Sequence, residues 1–573
     1  MKAGNIGFLV SLWLVISAGL AKEDDIMERN TTASEKAVRQ SQSLCDGERE
    51  FVQKRKQIVL ETLNSLEINC TENSVPHIAL LGSGGGQRAA VAMVGTLYQL
   101  EKDNLLDTLL YLAGVSGSTW SMASVYSDPQ WSTNMDGAIS KLLSDRLELE
   151  EALAWLNERE KDEYFSLTDI WAVLTSVAIM KQDLRHLSDE ADRNATNPYP
   201  IYSAIEKHCF SDGSTEGKWF EISPHEAGFT ELGLFVETSL LGSNFQSGEL
   251  LEKKPEMDMV KLQGVLGSAM ADEKTATDAI PPWLNVDEDS SFQKYWRAYK
   301  ILQKLAGLIG HISKEPADVP DLNMMYKMIT DMVNYNHSAR FHSNTSEERQ
   351  EILQELSLEL LAAVNTWCED QQDGPFKRQV SAIIKQVIPL IHKWEWGTSR
   401  NFLYQFQDPS IPPCLQSNET IHLIDAGLLI NVPYPSFLGD KRDIDLIIAP
   451  EYSAGNMFET LTIARNYSAE LKKPFPEIDD AILRDRDWPK DCYVLEGGET
   501  APTIIYMPLF NRRNCKDAEE FKATMDKYGT FQLPYTQEKI DFVLETAKAN
   551  MKNNKETLLR EIKKAVLRRQ NKE

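Results

Sequence analysis

Two glycine-rich turns hold the residues best suited to chemistry. The first reads Gly82-Ser83-Gly84-Gly85-Gly86-Gln87-Arg88 and the second Gly114-Val115-Ser116-Gly117-Ser118. Each follows a short apolar run, 77–81 and 108–113, and each precedes a stretch of helical character. A strand feeding a tight turn and then a helix aims backbone N–H groups at the point where the helix is electropositive. One such turn binds an anion. Two of them, with a serine at the tip of the second, suggest a nucleophile beside an oxyanion hole.

Other chemistries fit less well. The first turn lacks the Lys-Ser/Thr of a phosphate-binding P-loop. Residues 84–89 satisfy G-x-G-x-x-A, with Asp103 at about the distance of a ribose-binding acid. That acid should cap the next strand, however, and Asp103 falls in a turn before it. The second turn nearly matches the G-x-S-x-G elbow, with Ser118 in the fifth position. An ordinary helix cap could also account for Ser116, Ser118 or Thr119. A serine nucleophile needs a base. No histidine follows Asp425, so the order Ser…Asp…His is closed to it. His422 lies three residues before Asp425, on the opposite face of a straight strand. A dyad of Ser116 and Asp425 is the economical choice.

The elements that must position these groups can be read around them. A helix is expected over 48–66. Strands are expected at 197–201, 421–424, 445–449, 493–495 and 503–508, with strand and loop over 219–229. Helices are expected over 142–156 and 164–179, and a long one from 536 onward. Residues 287–391 change character, to amphipathic lysine- and glutamate-rich segments, and read as an inserted helical cap or lid. Met324, Met325, Met328 and Met332 sit in it at helical spacing. Residues 474–478 form a proline-rich bend.

Composition narrows the partners. The chain has 573 residues, 42% hydrophobic, with a net charge of −26. Such acidity argues against nucleic acid and against electrostatic docking on anionic membranes. Residues 1–21 have the form of a signal peptide, followed by a polar leader over 22–45. Sequons at Asn30, Asn69, Asn194, Asn336, Asn344, Asn418 and Asn466 agree with a secretory-pathway chain. The seven cysteines contain no C-x-x-C pair, so no zinc site is expected from them, and their pairing stays open.

Six segments together resemble the catalytic domain of the group IV (cytosolic-type) phospholipases A2, closest to the gamma branch. They are LGSGGGQRA (81–89), YLAGVSGSTW (111–120), KWEWGTSRNFL (393–403), IDAGLLINVPYP (424–435), DLII (445–448) and KPFPEI (473–478), in family order. The resemblance implies an α/β fold: a mixed central sheet with flanking helices, a patatin-like hydrolase core over 46–573. It implies that Ser116 attacks a glycerophospholipid ester, Asp425 is the base, and Gly85 and Gly86 hold the oxyanion. It also implies that Arg88 meets the substrate phosphate; Arg442, in the turn Lys441-Arg442-Asp443, reads either as a second phosphate-facing arginine or as part of a solvated basic turn. No cofactor and no metal are expected. The pattern begins just after the leader, without room for a C2 domain, so no calcium requirement is expected. The partner would be a phospholipid membrane or micelle surface, bound peripherally, with lysophospholipase and acyl-transfer activity alongside. The alternative is a catalytically silent lipid-binding protein of the same fold.

Overall fold

The computed structural model describes residues 37–143, 149–178, 183–272, 393–530 and 534–572, with isolated positions between 362 and 390. The expected signal peptide, most of the leader and nearly all of the 287–391 insertion, with its methionines, lie outside the described residues.

A mixed sheet organises the chain. Its strands are β1 (Arg39–Gln40), β2 (Ile78–Gly82), β3 (Tyr111–Gly114), β4 (Tyr199–Glu206), β5 (Trp219–Ile222), β6 (Glu226–Phe229) and β7 (Leu234–Glu237). After a separate hairpin, β8 (Asn244–Gln246) and β9 (Glu249–Glu252), come β10 (Thr398–Arg400), β11 (Thr420–Asp425), β12 (Leu446–Glu451), β13 (Tyr493–Leu495) and β14 (Thr503–Pro508). The order across the sheet is β1-β7-β6-β5-β4-β3-β2-β12-β14-β13. From β4 to β14 the neighbours are parallel; β5, β6, β7 and β1 add an antiparallel meander. Strands β2, β3, β4, β12 and β14 are buried along their whole length, as parallel strands covered on both faces are. Their near-continuous apolar runs are the sequence form of that burial.

The helices used below are α1 (Asp46–Ser65), α2 (Gln87–Lys102), α3 (Gly117–Tyr126), α4 (Leu167–Ala178), α5 (Gln537–Asn553) and α6 (Lys555–Lys572). The long C-terminal helix of the sequence reading is thus two helices, parted at Asn554. That side chain bonds Asp491 and the Asn550 carbonyl. Of the expected helix over 142–156, the described residues lie in the helices Met135–Leu143 and Leu149–Arg159, and 144–148 lie outside the described residues. The end of the leader belongs to the sheet, because β1 pairs with β7 and Arg39 bonds Glu226 at 2.7 Å.

The pairing around β4 sets the geometry of the molecule. Tyr202 pairs with Ile222 of β5 on one side and Gly114 of β3 on the other. Ala204 pairs with Phe220 of β5 and, on the other side, with Asp425 of β11. So β3 and β11 share one edge of β4. They run toward each other, since β3 is parallel to β4 and β11 antiparallel. Gly114 stops opposite residue 202 and Asp425 opposite residue 204, a separation of roughly 7 Å at strand rise. The turn after β3 and the end of β11 therefore meet head-on.

The two glycine-rich turns also touch. A Cβ placed on Gly117 would lie 1.9 Å from the Gly86 carbonyl oxygen. Only glycine permits that approach.

Long-range ties hold this frame. The Arg442 guanidinium bonds Glu48 of α1 at 2.8 and 3.0 Å, Glu221 of β5 at 2.9 and 3.1 Å, and the Ser436 carbonyl at 2.7 Å, all buried. A disulfide joins Cys209, just after β4, to Cys414, just before β11.

Breaking a buried ion network leaves uncompensated charge. Arg442→Ala should therefore lower unfolding free energy by about 3–5 kcal/mol, read by chemical denaturation. Gly117→Ala should cost about 1–3 kcal/mol from overpacking alone, read in the same way.

Candidate active site

Ser116 occupies the residue before α3 with φ 53° and ψ −125°, a conformation that L side chains rarely adopt. It sits where a helix cap would be, yet makes no capping hydrogen bond. The bland reading of this serine fails on that point. The backbone strain lifts the side chain off the helix end, as a nucleophile elbow requires. The side chain is 7% exposed, and its Cβ is the neighbour of Gly84 in the first turn.

Asp425 ends β11 and is 1% exposed. Its Oδ1 accepts the Gly427 N–H at 2.8 Å. Burial pushes its pKa up to about 6, while the nearby Ser116 hydroxyl and the Gly427 N–H favour the ionised form. Its Oδ2 has no hydrogen bond of full strength among the described residues. Catalytic contacts of this kind tighten when substrate arrives. The structure thus sets Ser116 and Asp425 side by side.

No imidazole bonds Ser116 among the described residues. His77 bonds the Arg442 carbonyl, His225 the Tyr199 hydroxyl, and His186 lies beside Asp189. His208 and His422 contact each other, and burial with that neighbour pushes His422 down to about 4. Asp103 closes α2 and pairs with Lys555, which removes it from any ribose-binding role.

Gly85 and Gly86 both have positive φ, 151° and 59°. Among the described residues neither N–H donates to a protein acceptor, whereas the Gly84 N–H is bonded to the Asn431 carbonyl at 3.0 Å. The turn thus keeps two donors in reserve at the electropositive start of α2.

Both arginines depart from the expectation. Arg442 is consumed by Glu48 and Glu221, so it cannot serve a substrate phosphate. Its carbonyl oxygen bonds His77, just before β2 and so at the end of that strand away from the turn, and two buried carboxylates claim its charge. Arg88 is 1% exposed and turned inward. It donates to the Tyr452 carbonyl at 2.7 Å, to the Tyr528 carbonyl, and to the Thr530 hydroxyl at 3.3 Å. Its Nη2 would lie 2.9 Å from a Cβ on Gly85. Arg88 therefore fastens the oxyanion turn from beneath and brings positive charge to it, instead of reaching a headgroup.

Two residues to which the sequence reading gives no part in the site complete the frame. Ser118, the departure from G-x-S-x-G, donates its hydroxyl to the Ser83 carbonyl and ties the second turn to the first. Asn431 bonds the Gly84 carbonyl at 3.2 Å through Nδ2, clipping the turn after Asp425 to the same place. The signal for Ser118 was the broken motif itself. For Asn431 it was a lone polar residue between Ile430 and Val432.

The whole arrangement has known counterparts. A family model described as the lysophospholipase catalytic domain matches residues 78–273. The chain is 32% identical to cytosolic phospholipase A2 gamma of Mus musculus over 575 residues, covering 91% of each chain. It is 32% identical to the Homo sapiens protein of that name, over 90% of this chain and 94% of that one. In fold it is similar to human GIVD cytosolic phospholipase A2, with a TM-score of 0.67, 23% identity, and coverage of 94% of this chain and 69% of that one. These relatives are named as cytosolic proteins, which overturns the secretory localisation expected from residues 1–21. No helix among the described residues is long and apolar enough to cross a membrane. With the fold and the near full-length relatives in agreement, the chain belongs to the cytosolic phospholipase A2 family of lipid ester hydrolases.

Proposed function

We propose that the chain hydrolyses fatty-acyl esters of glycerophospholipids through a Ser116–Asp425 dyad, without calcium. The observation that carries this reading is a strained, uncapped serine beside a buried carboxyl, with no imidazole against it among the described residues. Ser116 Oγ attacks the ester carbonyl carbon while the Asp425 carboxylate takes its proton. The carbonyl oxygen becomes an oxyanion, held by the N–H groups of Gly85 and Gly86, each worth ~3 kcal/mol in such sites. The buried Arg88 charge beneath the turn favours the same state.

Collapse expels the lysophospholipid alkoxide, which takes the proton back from Asp425, and leaves an acyl-serine. Water then attacks the acyl carbon as Asp425 takes its proton. The second tetrahedral state releases the fatty acid, and the proton returns to Ser116. If a lysophospholipid hydroxyl takes the place of water, the same acyl-serine gives transfer. The catalytic unit is taken as 46–573, with 287–391 as the cap over it.

The test is mass spectrometry of products from a mixed-chain phosphatidylcholine. Wild type should release fatty acid and lysophospholipid, with transacylated product when lysophospholipid is added, and a calcium chelator should leave the rate unchanged. Ser116→Ala and Asp425→Asn should each lose at least about 10³-fold in turnover. Wild type yielding no product above the background of Ser116→Ala would favour a silent lipid-binding protein, and full product formation by Ser116→Ala would assign the attack to another residue.

Asp425 acts only when ionised. With its pKa raised to about 6, kcat/KM should fall about tenfold per pH unit below that point and level off above it. An acid limb near pH 4, the ordinary carboxylate range, would remove Asp425 from the role.

A further inference from the structure

The far end of β11 carries a second group of chemically capable side chains. His422 lies on the strand that ends in Asp425, three residues earlier, and so projects to the other face. Its Nδ1 is 3.1 Å from Nε2 of His208, with the rings perpendicular at 89°. A carboxylate oxygen of Glu206 joins them, all three atoms lying within 4.8 Å of one another. Zinc with nitrogen ligands at about 2.0–2.1 Å sets neighbouring ligand atoms at tetrahedral corners roughly 3.3 Å apart. The two imidazole nitrogens are already near that spacing, and the carboxylate oxygen, within 4.8 Å of both, needs to close by at most about 1.5 Å.

The carboxylate is held ready. Glu206 is fully buried, and its two oxygens accept the Cys209 N–H at 2.7 Å and the His422 N–H at 3.1 Å. Such outer bonds fix a ligand's orientation while leaving lone pairs for an ion. His208 is exposed and gives the site an entry path. Two imidazoles and one carboxylate suit zinc and its transition-metal neighbours, whereas calcium takes oxygen ligands alone.

We propose that Glu206, His208 and His422 form a binding site for a zinc-class divalent ion that cross-links the end of β4 to β11. Glu206 is the residue that pairs with Leu423, two places before Asp425. The ion would therefore lock the register that presents Asp425 opposite Ala204. The cluster draws its ligands from positions 206, 208 and 422, so no short cysteine or histidine motif records it.

The test uses the full chain without an affinity tag, stripped of metal and titrated with Zn²⁺ against a chromophoric chelator. Wild type should take up one equivalent more than His208→Ala, or bind its tightest equivalent about 100-fold more strongly. Zn²⁺ should raise the melting temperature of wild type and leave that of the variant unchanged. His208 is a surface side chain, so the metal-free melting temperatures of the two proteins should agree, which separates loss of metal from loss of fold. His422→Ala should repeat the binding result. Equal Zn²⁺ binding by wild type and His208→Ala, or none by wild type at roughly 10 μM Zn²⁺, would overturn the proposal.

Discussion

The site depends on one edge of one strand. Two neighbours of opposite direction share the side of β4 away from β5, and neither can extend further without colliding with the other. The parallel neighbour turns away at Gly114 and the antiparallel one at Asp425. Ser116 after the first and Asp425 at the end of the second are then neighbours in space, 309 positions apart in sequence, without any loop having to reach. Parallel packing on one side and a meander on the other keep β4 from shifting. The buried network of Arg442, Glu48 and Glu221 and the Cys209–Cys414 bridge tie down the elements on either hand.

Burial supplies the remaining chemistry. An exposed aspartate would be a weak base near neutral pH. Removing Asp425 from water, with one N–H and one hydroxyl for company, raises its affinity for a proton into a useful range. At pH 7 a group titrating near 6 is still about ten parts ionised to one protonated. A single carboxylate can therefore do the work usually given to an imidazole held by a third group. The cost is a charge in a place with few partners, which a rigid surrounding frame tolerates.

What could be read from the sequence was local. Strands 493–495 and 503–508 matched residue for residue, because turn-forming residues bracket their apolar runs. The two turns announced themselves through glycine, since few other residues tolerate those conformations. What could not be read was long-range. β4 runs on to Glu206, past the expected end at 201, because its second half is stabilised by β11 and β5. Arg442 reads from sequence as facing a substrate phosphate or solvent; its partners are 394 and 221 positions away. Arg88 was placed at the correct turn with the wrong orientation, because the carbonyls of Tyr452 and Tyr528 draw it inward. Periodicity gives no hint of such partners.

The contact between Gly117 and the Gly86 carbonyl carries a consequence for motion. With no space between them, the two glycine-rich turns travel as one rigid body. On the proposed reading, acyl chains are then admitted by rearrangements elsewhere in the molecule, and an inhibitor bonded to Ser116 would inherit a fully assembled pocket.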